Sequence, residues 1–191
     1  MDGDFTENPF RFEMVMDMSY YTILQREWNK LSKKDISILQ HAQGIIADLL
    51  NIQGIYRGIK FYRLSPEEML NYTINIGYRL DFNFLKKLCY SSNIEEFFRL
   101  VKATRYSFMF KGDETTDIYM ERRMERHIYF ELKTLARDNN LSIISAFTFI
   151  IFLEFEVRDI VSIVEAIRYK IPADQANKYI IKKASIEAFN N

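Results

Sequence analysis

The chain is 191 residues long, which fits one larger domain or two small units, and its 48% hydrophobic content supplies enough apolar surface to exclude a disordered chain. Lys and Arg number 26 against 26 Asp and Glu; this zero formal charge removes the basic field that nucleic-acid binding depends on, and the single cysteine, Cys89, excludes a disulfide-stapled secreted scaffold. Six glycines and three prolines are too few for the turns of a sandwich or barrel, so the composition predicts an all-α fold in a reducing, cytosolic setting.

Met1 to Phe12 carries acids and has neither a basic nor an apolar leader region, so it is not a signal peptide. Residues 1–16 read as a mobile tail, in which Asp2-Gly3-Asp4 resembles the start of a calcium loop without its later ligands. Ser32-Lys33-Lys34-Asp35 opens a helix by capping-box logic, and Ile45, Leu49, Ile52, Tyr56 and Ile59 form its apolar stripe. Ser65-Pro66-Glu67-Glu68 opens another, expected to stop near Gly77, and Ser92-Asn93-Ile94-Glu95 a third. Breaks follow at Lys111-Gly112-Asp113, Asn139-Asn140 and Ile171-Pro172. Between the last two, Ser142 to Lys170 is uninterrupted, a rod of roughly 43 Å. Its first half is apolar on all sides and reads as a buried helix too short to span a bilayer. Its second half puts Val157, Ile160, Val161, Val164 and Ile167 on one stripe opposite Glu156, Asp159 and Arg168.

Shifted by 108 residues, the chain matches itself. Tyr21, Leu24 and Ile36 meet Tyr129, Leu132 and Ile144; Asp17 meets Glu125; Ile52, Ile55 and Ile59 meet Ile160, Ile163 and Ile167. After one deletion Tyr72 meets Tyr179. The expected organisation is therefore two pseudo-repeated helical units, residues 17–112 and an incomplete 113–191.

Motifs for chemistry are scarce. There is no phosphate-binding glycine loop, His41 and His127 stand in no metal-ligand pattern, and Cys89 lacks a partner at zinc spacing. Neither cofactor nor metal is expected. Glu121, Glu125 and Glu131, interleaved with Arg122, Arg123 and Arg126, read as a solvated, salt-laced face. Glu154 follows fifteen uncharged residues and calls for a partner, which Arg158 one turn on would supply.

Asp17-x-x-Tyr20-Tyr21-x-x-Leu24, Asp48-Leu49-x-Asn51-Ile52 with Arg57, Arg79-Leu80, Thr104-x-Tyr106 and Glu154-x-Glu156-Val157-Arg158-Asp159-Ile160, in this order, resemble the C subunit of V/A-type rotary ATPases, the V-type subunit d family. The resemblance implies a non-catalytic adaptor: a funnel of helical units that joins central-stalk subunits of the D/F type to the membrane rotor ring of proteolipids (c/K type). Such an adaptor transmits torque for ATP-coupled proton or sodium transport, and is cytoplasmic and peripheral to the membrane without a span of its own. The alternative is a free-standing helical binding module of the same ancestry. The family has three units where two are visible here, so the first is expected to be missing, and dimerisation of the chain through the apolar surface thus bared is expected. The family's pattern has Asn where this chain has Asp159, and Glu165 is the repeat mate of Arg57. Asn51, Arg57, Glu156 and Arg158 are the candidate partner-interface or cavity residues; capping or salt-bridging inside the chain is the other role open to them.

Overall fold

The computed structural model describes residues 9–110 and 116–182 and is helical, with no strand among those residues. The Asp2-Gly3-Asp4 tail and the Lys111-Gly112-Asp113 break lie outside the described residues. The chain divides into two compact units, Met1–Tyr106 and Ser107–Asn191, a boundary six residues before the one the repeat suggests.

In the first unit, α1 (Pro9–Trp28) begins where a mobile tail was expected, so residues 9–16 are helical. It packs antiparallel on α2 (Lys33–Arg57), with Met14 against Gly54 near one end and Tyr21 in a cluster with Ala47 and Ile74 further along. Ser32 caps α2 as its sequence dictates, accepting from the Asp35 amide at 3.2 Å and donating to the Asp35 carboxylate at 2.6 Å. The helix runs into a π-helical turn (58–62) and stops at Arg63, whose φ of 48° turns the chain so that Leu64 N–H reaches back to the Gly58 carbonyl at 3.1 Å.

Ser65 caps α3 (Pro66–Asn71), which ends six residues before Gly77. Tertiary bonds overrule local propensity there, because the 73–80 backbone is bound to side chains of α2, as described below. Asp81 caps α4 (Phe82–Cys89), and α5 (Ile94–Lys102) is capped by Asn93, one residue beyond the Ser92 expected; Ser92 instead bonds the Glu96 carboxylate through its own N–H and hydroxyl. A 3₁₀ segment (Arg105–Phe110) follows. Helices α4 and α5 close over α2, burying Leu85, Leu88, Phe97 and Val101 beside Leu49, Ile52 and Tyr56. Each large aliphatic or aromatic side chain so enclosed contributes about 1.5–3 kcal/mol.

In the second unit, α6 (Thr116–Asp138) and α7 (Ile144–Arg168) form another antiparallel pair, held by Tyr129 against Phe152 with ring centroids 4.7 Å apart. Met120, Met124, Ile128, Leu132, Ile144, Phe155 and Ile181 fill its core. α7 ends as α2 does: Lys170 has φ 54°, Ile171 N–H bonds the Ala166 carbonyl at 2.8 Å, and α8 (Ala173–Ala176) follows. Arg63 and Lys170, both in the left-handed region, stand 107 apart.

The apolar stripe of α7, expected to be buried, faces outward, and of the three residues placed opposite it Glu156 and Arg168 are exposed as well. Asp159 is buried, while Val157, Ile160, Val161, Val164 and Ile167 are exposed, and in the first half Phe149, Ile150 and Leu153 are exposed as well. The stripe is real, but α6 covers the opposite side. Among the described residues no helix is long and apolar enough to cross a membrane.

Candidate functional site

Three of the motifs in the first unit, at Asp48, Arg79-Leu80 and Tyr106, converge on one carboxylate. Asp48 is fully buried on α2 and accepts from Arg79 N–H at 2.7 Å, Leu80 N–H at 3.3 Å and the Tyr106 hydroxyl at 2.7 Å. Burial raises its pKa; the Tyr106 hydroxyl and the backbone amides of Arg79, Leu80 and Tyr78 work against that rise. The approach demands glycine at 77, where a Cβ would collide with the Asp48 carboxylate and the Leu80 carbonyl oxygen. Glycine is needed at 44 too, because a Cβ there would stand 2.9 Å from the Ile76 oxygen and the Tyr78 nitrogen.

One turn along, buried Asn51 donates to the Ile74 carbonyl at 2.9 Å and accepts from the Ile74 N–H at 2.8 Å, as a second strand would. The second unit repeats the device with altered chemistry. Asp159, 108 residues from Asn51, accepts from Ile181 N–H at 2.7 Å and Lys182 N–H at 3.0 Å. A carboxylate suits a site that presents two donors, whereas an amide suits one donor and one acceptor. That accounts for an aspartate at 159 where the first unit has an asparagine.

The other three candidate residues are also tied within their own units. Arg57 lies 3.8 Å from Glu13. Glu156 pairs with Lys182 at 3.1 Å on the surface. Arg158 bonds Glu154 at 2.6 Å, the pairing expected from the sequence, and Glu125 at 2.5 Å. Within the first unit Asn51 goes to Ile74 and Arg57 to Glu13; within the second Glu156 goes to Lys182 and Arg158 to the two glutamates.

Glu125 corrects the solvated-face reading. It is buried on α6 between Arg158 and Arg122, the latter at 2.7 Å. Glu154, expected to be shielded by its apolar neighbours, is half exposed. The arginines beside Glu125 on α6 turn inward too: Arg123 bonds the Met109 carbonyl at 2.6 Å, and Arg126 gathers the Lys178 and Ile180 carbonyls at 2.6 and 2.7 Å.

Among the described residues no group of three or more His, Cys, Asp and Glu is arranged to hold a metal ion. His41 stacks on Tyr78 at 4.0 Å and His127 lies 4.5 Å from Phe108, both as aromatic packing partners. Cys89 is buried, and burial pushes its thiol pKa up to about 12, away from nucleophilic use. An open groove of about 520 Å³ beside Trp28, Gln40, His41, Asn75 and Tyr78 offers amides and rings but no facing acid and base. The geometry holds backbone in place.

A family model described as the ATP synthase (C/AC39) subunit matches residues 1–179. The chain belongs to this family. Neither a curated protein nor a solved structure matches it. In this C/AC39 subunit, the Asp48 brace ties together polar motifs as far apart in sequence as Asp48 and Tyr106, a separation of 58 residues. Sequence reasoning missed Asp48 as their meeting point and Glu125 as a buried ion-pair centre. The pairing of Asp17 with Glu125 across the repeat was the one signal that marked Glu125 as an inward position.

Proposed function

We propose that this C/AC39 subunit is a non-catalytic adaptor of a V/A-type rotary ATPase, peripheral to the membrane on its cytoplasmic side. It joins D/F-type stalk subunits to the proteolipid ring and passes torque between them during ATP-coupled proton or sodium transport. The observation that carries the reading is the family match over residues 1–179. The braces support it: torque transfer needs helices that do not slide, and buried side-chain bonds to backbone from Asp48, Asn51 and Asp159 resist sliding. The recurrence of helix pair, left-handed stop and bracket at a shift of 107–108 supports a further reading, that the two units are copies of one another.

A titration of the chain against purified D/F-type subunits, and separately against the detergent-solubilised ring, tests the reading. Saturable binding to both is expected. Binding to neither overturns it.

A further inference from the structure

We propose that the groove beside Trp28 docks an extended, acidic segment of a partner protein, with Arg79 at its rim taking the carboxylate. The groove has about 520 Å³ of open volume, and its walls come from residues 25–28, 37–41 and 75–78 of the first unit, none of which adjoins an undescribed residue. Among the described residues no Asp, Glu, Lys or Arg lines it; Gln25, Ser37, Gln40 and Asn75 supply neutral polar groups alongside the rings of Trp28, His41 and Tyr78. In a chain that is 27% charged, such a wall suits a stretch of neutral backbone rather than a row of ions.

Donors without acceptors select the backbone of the occupant. Trp28 is 5% exposed, and its indole Nε1–H is buried without a hydrogen bond, a state that is costly until an acceptor reaches it. The backbone N–H groups of Asn75, Ile76 and Gly77 donate to no group among the described residues, whereas those of Ile74, Tyr78, Arg79 and Leu80 on either side all do. The braces thus fix this stretch at both ends and leave its middle open. An extended segment presents carbonyl oxygens to such donors, while a helix uses its carbonyls internally. Arg79 selects the charge. Its guanidinium lies over the Tyr78 ring, Cζ 4.3 Å from the centroid, and donates to the Tyr78 hydroxyl at 3.0 Å; Tyr78 in turn stacks on His41 at 4.0 Å. The stack holds the arginine without neutralising it, and Arg79 forms no ion pair among the described residues. A guanidinium aligned in advance takes a carboxylate through paired N–H groups at small entropic cost. None of these features depends on the rotary-complex reading.

Two capped pentapeptides, Thr-Val-Glu-Val-Thr and Thr-Val-Gln-Val-Thr, titrated into the isotope-labelled full chain and followed by NMR, test it. The chain has one tryptophan, so a single indole N–H signal reports on Trp28 directly. Saturable binding of the glutamate peptide is expected, with shifts at the Trp28 indole and the amides of residues 75–77, and with affinity at least ~10-fold higher than that of the glutamine peptide. Arg79→Gln is expected to erase that difference. Its side chain is exposed and its bond to Asp48 comes from backbone, so the variant keeps its fold, which an unchanged spectrum away from the groove verifies. Lys102→Gln removes an exposed charge on α5 that does not line the groove, and is expected to change nothing. No binding at several millimolar peptide overturns the proposal, as do equal affinities for the two peptides, shifts confined to residues outside the groove, or a preference for glutamate that survives Arg79→Gln. A preference lost equally in Lys102→Gln also overturns it, because diffuse charge would then account for the binding.

Discussion

Asn51 shows most directly what a single side chain does in this molecule. Its amide meets both polar groups of Ile74 inside the first unit, so truncation strands a buried N–H and a buried carbonyl at once. Asn51→Ala is expected to lower stability by about 3 kcal/mol, read by urea denaturation. Asn51→Asp is expected to lose nearly as much, because a carboxylate keeps the bond to the N–H but faces the carbonyl oxygen without a proton. The glutamates of α6 and α7 form a second contrast. Glu125 is 6% exposed at its side chain and held by two arginines, whereas Glu154 is half exposed and shares only Arg158 with it. Glu125→Ala is expected to cost about 2 kcal/mol, since Arg122 and Arg158 both retain some access to water, and Glu154→Gln less than about 0.5 kcal/mol. Equal losses at the two positions would show that the buried ion pair is no more important than the exposed one.

At the scale of elements, α1 and α4 give two further tests. Asp17 is half-buried on α1, and its pKa is raised by burial and then by the like charge of Glu13 one turn away. A raised aspartate binds its proton more tightly folded than unfolded, so ionisation costs stability as pH climbs through the raised value and costs nothing below the ordinary value of 3.8. Asp17→Asn should therefore raise the melting temperature at pH 7, by up to about 3 °C, with the gain vanishing by pH 3.5. A gain that persisted in acid would assign the effect to packing. Cys89 on α4 should be silent to a thiol-reactive disulfide at neutral pH and react only on unfolding, the whole chain yielding one thiol.

These elements also mark how far the sequence was legible. Helix starts at Ser32 and Ser65 were readable because a cap is a local bond within three residues. The end of α3 was not, since residues 73–80 answer to Asp48 and Asn51, more than twenty residues upstream. The stripe on α7 was readable as a period but not as a direction, because periodicity reports that one side differs from the other and not which side meets α6. Asn51 was picked out by its place in the motif, with an internal capping role left open beside a partner-facing one, while Glu125, outside the four candidate residues, was hidden by three neighbouring arginines that resemble a solvated surface.

For the whole molecule, each of the two units holds a long antiparallel helix pair, and the two enclose it to different degrees. In α2, 15 of 25 residues are buried; in α7, of the same length, five are. Amide exchange follows the free energy of local opening, which rises with the contacts that opening must break. α2 is pinned by α1, by α4 and α5, and by the Asp48 and Asn51 brackets, so its amides should exchange only when the first unit unfolds. α7 is held on one side by α6 and by the Asp159 bracket, and its outward turns can fray without disturbing Ile144, Phe155 or Ile181. Hydrogen exchange read by mass spectrometry, at a concentration where sedimentation shows a single chain, should find the central amides of α7 at least ~10-fold faster than those of α2. Protection of α7 equal to that of α2 in the single chain would mean that α6 and the Asp159 bracket alone stabilise the second unit as firmly as the fuller enclosure stabilises the first.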